Sequence, residues 1–431
     1  MLTLISFLFV LGVLVFVHEL GHFLVARWYG VRVITFSLGF GPKIFKFTRG
    51  GTEYCVSVVP LGGYVKLAGE TVEETRTGAP DEFLSQSKWV RFQVYIAGPV
   101  MNILLAIIVL AGVLSRGADV PLFDSSAPVV GAVAVGSPAE GAGLKVGDRI
   151  VSVDGRDTPT WDELNLAVLP KAGRQLAIVA VRDDRRLDVT VTPNSLGKYE
   201  LGDLGIEPVR RPVVMQVNPR TPADRAGLRR GDIILGVNDE RALAQEKIIT
   251  RIRASANTPL TLHVERDGVD VPVSVTPEGA PGAAVIGVSL SPYEVRRIDP
   301  TIPQAIQMSF RQNWDNTVLI GRTLRGLFTR DTPVRQLMGP VAIAEMSGNA
   351  ARFGWLAIFN LMSMISLNLG LLNLMPVPVL DGGHIAILAV EGLARRDLSA
   401  RIKERILMAG AALIVMLMVT VIYNDIARLL R

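Results

Sequence analysis

Four long apolar runs punctuate this chain, at residues 2–26, 94–114, 356–374 and 406–423. Each is long enough to cross a hydrocarbon core of about 30 Å as an α-helix. The pattern predicts a polytopic α-helical membrane protein with four transmembrane helices. Between the first two runs the period changes: residues 37–47 and 53–69 alternate like strands and carry glycine-rich turns. That predicts a β-hairpin. Between the second and third runs lie short β-branched alternations and Gly-Asp turns, with helical stretches around 161–168 and 245–252. Apolar positions at Ile306, Phe310, Trp314, Val318, Leu324, Leu327 and Phe328, mixed with arginines, suit an amphipathic helix, either at the outer interface or packed against its own protein.

The long middle segment repeats itself. "AEGAGLKVGDRIVSVDG" from Ala139 matches "ADRAGLRRGDIILGVND" from Ala223, an offset of 84 residues. The same offset carries "RDDRRLDVTVTP" from Arg182 onto "RDGVDVPVSVTP" from Arg266. Two matches with one spacing mean two copies of a small domain. The "AGL-x-x-GD" pattern resembles PDZ domains of the bacterial protease type, which implies two inserted PDZ (α+β) domains at 120–208 and 209–292. The plainer alternative is a pair of structural β modules without a peptide site. The expected layout is a first helix at 1–27, a cytoplasmic or re-entrant β region at 28–92 and a second helix at 93–115. The PDZ pair follows, then an outer-side amphipathic segment at 301–350. A third helix at 353–385, a cytoplasmic loop at 386–405 and a fourth helix at 406–425 complete it.

Composition agrees with this pattern. At 49% hydrophobic residues and a mean hydropathy of +0.36, the chain is too apolar for an ordinary soluble enzyme. Met1, Leu2 and Thr3 carry no basic charge and no small-residue cleavage site follows, so the first run reads as a retained helix rather than a signal peptide. A single cysteine, Cys55, excludes an intramolecular disulfide framework and a cysteine-rich zinc site. The net charge of +5 is spread over loops, which argues against nucleic acid. Basic residues gather between 27 and 91 and between 395 and 405. By the positive-inside rule these face the cytoplasm, placing the termini and the repeats on the outer side. Arg311, Arg322, Arg325 and Arg330 lie on the outer side under this topology, although long translocated regions are largely exempt from the rule.

The chemistry stands inside the lipid-like runs. His18, Glu19 and His22 interrupt the first, where each ionisable group costs roughly 2.5–3.5 kcal/mol on insertion scales. On a helix His18 and His22 lie one turn apart on one face, and Glu19 is rotated by about 100°. This is the H-E-x-x-H arrangement of zinc hydrolases: two ligands and a general base. A catalytic zinc usually takes a third protein ligand. Cys55 has no metal spacing, and His263 falls in the second repeat. The third run ends as "NLGLLNLMPVPVLDGGH" (residues 368–384), where Pro376 and Pro378 stop the helix and Gly382-Gly383 permit a tight turn. Irregular backbone at membrane depth belongs beside protein or a polar cavity. Asp381 therefore lines a site, with His384 a rival ligand on chemistry alone.

H-E-x-x-H in the first helix together with N-x-x-P-x-P-x-x-D-G in the third resembles the site-2 protease family of intramembrane zinc metalloproteases. The two PDZ-like copies narrow the resemblance to its regulator-of-sigma-E type, over essentially the whole chain. The resemblance implies His18, His22 and Asp381 as zinc ligands, Glu19 as catalytic acid/base, and Asn373 as a contact for substrate backbone. For Asn373 a helix–helix hydrogen bond is the alternative. It also implies a membrane-associated β-hairpin dipping into the bilayer beside the site, whose sheet edge could hold an extended substrate; an ordinary cytoplasmic hairpin is the alternative. Gly98-Pro99 in "AGPVMN" reads most simply as a packing kink. The implied setting is a bacterial cytoplasmic (inner) membrane. The implied substrates are single-span membrane proteins, including an anti-sigma factor trimmed on its outer side and signal-peptide remnants.

Two other classes compete: a metal-binding transporter, and a proteolytically silent PDZ scaffold with a structural metal site. The spans show no repeat and no second set of charges, which disfavours the first. Glu19 disfavours the second, because a structural zinc needs no carboxylate beside its ligands.

Overall fold

The computed structural model describes residues 2–70, 78–197, 200–209, 211–241, 245–291, 293–329 and 337–429. In chain order its helices are α1 (Leu2–Trp28), α2 (Lys88–Leu114), the one-turn α3 (Pro138–Gly141), α4 (Trp161–Val168), the one-turn α5 (Pro222–Arg225) and α6 (Gln245–Ala254). There follow α7 (Ile302–Phe328), α8 (Pro340–Phe353), α9 (Trp355–Asn373), α10 (Asp381–Leu393) and α11 (Ala400–Leu429). The chain divides into two compact units. One comprises Met1–Gly117, Asp299–Arg325 and Val334–Arg431; the other comprises Ala118–Ile298 and Gly326–Pro333.

Among the described residues four helices are long and apolar enough to span a membrane: Leu2–Trp28, Lys88–Leu114, Trp355–Asn373 and Ala400–Ala427. Small residues let them approach. A Cβ at Gly21 would lie 2.5 Å from the Ala97 carbonyl oxygen, and one at Gly370 would lie 2.9 Å from that of Pro99. Ser363 and Ser366 on α9 donate to the Ala106 and Asn102 carbonyls of α2 at 2.8 and 2.7 Å. Glycine contacts and hydroxyl bridges replace the hydrophobic drive that lipid removes. Val10 and Leu14 pack with Ile358 and Met362 between α1 and α9.

The predicted hairpin is present as β1 (Val33–Arg49) antiparallel to β2 (Thr52–Leu67). Its register doubles back. Phe36 faces Tyr54 on one side and Val65 on the other, and Phe47 also faces Tyr54. Two bent strands thus form four ribs in the order 45–49, 52–56, 33–38 and 63–67. The base is anchored by Phe36, whose ring meets Phe16 and Phe23 of α1 edge-on at 5.9 and 5.4 Å. Phe40, Ile44, Phe45 and Phe47 stand exposed on the hairpin.

Boundaries near the third run differ from expectation. The helix expected at 353–385 stops at Asn373, and a separate helix resumes at Asp381. Pro376 and Pro378 lie in the intervening turn and cannot continue a helical hydrogen-bond ladder. The loop expected at 386–405 is helical to Leu393 and again from Ala400, because "IAILAVE" and "ARIKER" are rich in good helix formers. The outer segment expected at 301–350 comprises α7 and most of α8, and its residues 330–336 lie outside the described residues. The N-terminus of α8 meets Asp425 of α11, whose carboxylate accepts from the backbone N–H groups of Gly339, Val341 and Ala342 at 3.1 Å each.

The second unit repeats as its sequence does. Arg182 forks onto buried Asp148 at 2.6 and 2.7 Å and reaches the Gly143 carbonyl. Arg266 does the same to Asp232 and Gly227 at 2.7–2.9 Å. Every partner is displaced by the 84 residues of the sequence offset. The first copy has strands in the order 156–157, 149–153, 176–182, 185–191, and the second preserves this order at 240–241, 233–237, 260–266 and 269–275. In the second copy 213–217 and 288–291 extend the same sheet. Separate cores gather around Trp161 and Leu164 in the first and around Ile248 and Leu262 in the second. Ala118–Pro121 pairs antiparallel with Val295–Ile298, so the entry and exit of the unit are tied together.

Candidate metal centre

α1 presents His18 and His22 on one face, one turn apart. α10 brings its first residue, Asp381, against them. His18 Nε2 lies 3.2 Å from Asp381 Oδ2, His22 Nε2 lies 3.5 Å from Oδ1, and the two Nε2 atoms are 3.3 Å apart. Among the described residues these three form the one cluster of potential metal donors. Zinc bonds of about 2.0–2.2 Å in a tetrahedron require donor separations of roughly 3.3–3.5 Å, so the residues fit such an ion. Asn373, the last residue of α9, places Nδ2 3.5 Å from His18 Nε2.

The turn before Asp381 is built tightly. Cβ atoms at Gly382 and Gly383 would fall 2.3 Å from the carbonyl oxygens of Leu374 and Val377, so no side chain fits there. Val379 sits at φ 84°, a strained setting for a β-branched residue. This strain lies two residues from a putting-together of donors, where such outliers concentrate.

The second span contributes more than a kink. Gly98 faces both imidazoles, and a Cβ there would stand 2.3 Å from His22 Nε2 and 2.8 Å from His18 Cε1. His22 Nδ1 meets the Val94 carbonyl at 2.7 Å. As an N–H donor it leaves Nε2 unprotonated toward the site. His18 Nδ1 lies 3.2 Å from the amide of fully buried Asn102. The nearer atom is Nδ2, while Oδ1 is buried with no partner among the described residues; turning the amide over lets Oδ1 accept from Nδ1–H and fixes the same tautomer in His18. These orienting groups were not recognised from sequence, although an asparagine in an apolar span, one turn after Gly98-Pro99, was a usable signal.

Glu19 stands beside the donors against the β hairpin. The Val65 N–H donates to its carboxylate, so the outer edge of rib 63–67 faces the site. A Cβ at Gly63 would lie 2.8 Å from the Ser37 carbonyl oxygen, 2.9 Å from Val15 Cγ1 and 3.1 Å from Glu19 Cγ, so glycine suits this close approach of rib and helix. The other candidates stand apart. His384 stacks on Tyr95 with centroids 4.7 Å apart, Cys55 is buried in the hairpin, and His263 lies near Asp270 in the second repeat.

The model of peptidase family M50 matches residues 6–417. The chain belongs to peptidase family M50. Regulator of sigma E protease from Salmonella typhi is 35% identical, with 99% of both chains covered. Regulator of sigma-E protease RseP from Escherichia coli K12 is also 35% identical, covering 99% of this chain and 98% of its own. A Vibrio cholerae protein whose name contains the words zinc metalloprotease is 32% identical, over 99% of this chain and 98% of its own. The PDZ domain of the SdrC-like protein from Listeria monocytogenes covers 19% of this chain and 85% of its own, with 22% identity and a TM-score of 0.18. That likeness is too slight to carry an argument. Membership of M50 makes this protein an intramembrane metalloprotease.

Proposed function

We propose that His18, His22 and Asp381 hold zinc, with Glu19 as acid/base, to cleave single-span membrane proteins within a bacterial inner membrane. The observation that carries this is the convergence of three donors at tetrahedral spacings beside a carboxylate in a membrane-spanning helix. When bound, zinc lowers the pKa of water to near 7 and polarises a peptide carbonyl. Glu19 takes the proton from water and returns it to the departing amine. The edge at 63–67 offers backbone groups to an extended substrate, and Asn373 holds the substrate backbone near the scissile bond. The substrate class includes a trimmed anti-sigma factor and signal-peptide remnants.

His18 and His22 precede Arg27 by nine and five residues, placing the centre on the order of 10 Å inside the cytoplasmic boundary. Cleavage therefore falls in the cytoplasmic half of the substrate span. Neither the transporter nor the silent-scaffold reading suits an M50 peptidase. Glu19→Gln should retain zinc while losing about 10²–10⁴ of turnover on a transmembrane substrate. Zinc analysis and a cleavage assay on the same preparation test this; near-wild-type turnover rules out Glu19 as the acid/base.

The repeats, read as PDZ domains on the outer side, act as a size filter rather than a peptide grip. In the second copy, Gln245 on α6 already donates to the Leu290 carbonyl on strand Val288–Ser291 at 3.1 Å. Replacing residues 120–292 with a flexible linker should preserve cleavage of short substrates and admit those bearing folded outer domains. Loss of trimmed-substrate cleavage by a folded, zinc-loaded core would instead identify recruitment.

A further inference from the structure

A cavity with charged residues in its wall lies where α2 begins, α10 ends and α11 begins. Its volume is about 490 Å³, and its charged lining comprises Glu70, Arg91, Glu391, Lys403 and Glu404. Arg91 is in the first turn of α2, while Lys403 and Glu404 are in the first two turns of α11. These charges therefore stand at the level where the helices meet the membrane boundary. Leu84, Ile387, Leu388 and Leu407 supply apolar walls.

Two residues that line this cavity each carry a buried polar atom without a partner among the described residues: Arg91 Nε and Glu391 Oε2. Arg91 is only 7% exposed and Glu391 is fully buried. The other oxygen, Glu391 Oε1, accepts from Lys403 Nζ at 2.6 Å and Leu398 N at 2.9 Å. A buried cation and a buried carboxylate on the wall of one chamber thus each leave one polar atom unpartnered, an arrangement that calls for an occupant. The chamber shares His384, Leu407 and Met408 with an apolar groove of about 400 Å³ that continues to Val379 and Ala411. The groove follows α11 away from its charged beginning.

We propose that this cavity binds one phospholipid with a zwitterionic ammonium–phosphate headgroup of the ethanolamine class. Phosphate matches the Arg91 guanidinium. The primary ammonium donates to Glu391 Oε2, and an acyl chain follows the groove beside Leu407, Met408 and Ala411. Three lining carboxylates against two cations disfavour a purely anionic lipid. Choline has no N–H to offer Glu391. Water could satisfy the two polar atoms but gives no account of the apolar groove leaving the same chamber. This assignment is independent of the catalytic reading, because neither Arg91 nor Glu391 belongs to the metal centre.

The test is native mass spectrometry of the full chain released from nanodiscs containing equal amounts of ethanolamine, glycerol and choline phospholipids with identical acyl chains. One ethanolamine lipid should remain bound, enriched about tenfold over the other two, as expected for one charge-assisted contact. Arg91→Gln and Glu391→Gln should each remove that enrichment. Ala411→Trp should lower retention by filling the groove without touching either charge, which guards against misfolding of the charge variants. Equal retention of the three lipids, undiminished retention by all three variants, or no retained lipid overturns the proposal.

Discussion

The repeat unit and the membrane unit both remove aspartates from water, but they treat them differently. Asp148 and Asp232 each receive an arginine fork and a backbone N–H from their own module. Their hydrogen-bonding capacity is used within the fold. Asp381, with a side chain 16% exposed, instead faces two imidazole Nε2 atoms. The Nδ1 atom of His22 is held by the Val94 carbonyl, and that of His18 by the Asn102 amide. Their unprotonated nitrogens and the carboxylate converge on a space suited to a cation. A carboxylate satisfied by arginine is architectural; one backed by oriented imidazoles is prepared for a ligand.

Exchanging the acids for amides sharpens this contrast. Asp381→Asn should lose metal and reduce cleavage by more than about 100-fold, exceeding the usual loss of an outer orienting partner. The membrane core should remain folded. Asp148→Asn should weaken its module, seen as faster hydrogen exchange over 149–153 and 176–182, while metal stays bound. His384→Ala should also keep the metal, because its ring stacks on Tyr95 away from the three donors. Metal analysis showing the reverse for Asp381 and His384 would make His384 the third ligand.

A smaller effect is expected from Gly98→Ala. The new methyl group would occupy space 2.3 Å from His22 Nε2, forcing the ring or α2 to move. Metal affinity should fall by about 10–100-fold, in the range for disturbed ligand support. Unchanged affinity would mean that Gly98 serves helix packing alone, the role its sequence first suggests.

The pattern of residues made much of this architecture legible. Apolar runs located the spans, and the 84-residue offset located two modules whose Asp–Arg pairs repeat at that spacing. His18 and His22 declared themselves because charge in such a helix is costly. The missing parts depend on three-dimensional registry. Nothing in "AGPVMN" alone tells that the Val94 carbonyl will meet His22, since that contact depends on how α1 and α2 cross. Nor does strand alternation show that Phe36 will pair on both sides within one hairpin. Pro376 and Pro378 signalled the break after Asn373, but helix α10 beyond it was hidden by an expectation of a charged loop.

The smallest expected effect concerns pH and the first module. Hydrogen bonds from Arg182 hold the Asp148 carboxyl below its ordinary value. A group with a depressed folded-state value contributes its full stabilisation above its unfolded value, about pH 4. That contribution disappears as pH falls through the lower folded value. Hydrogen exchange over 149–153 and 176–182 should therefore be steady from pH 7 to about 5 after correction for intrinsic exchange, then accelerate below about 4. Asp148→Asn cannot make this proton-dependent change, so its corrected exchange should be faster at neutral pH and flatter toward acid. An equally steep acid response in the variant would assign the transition to another group and break the inferred coupling between Asp148 and module stability.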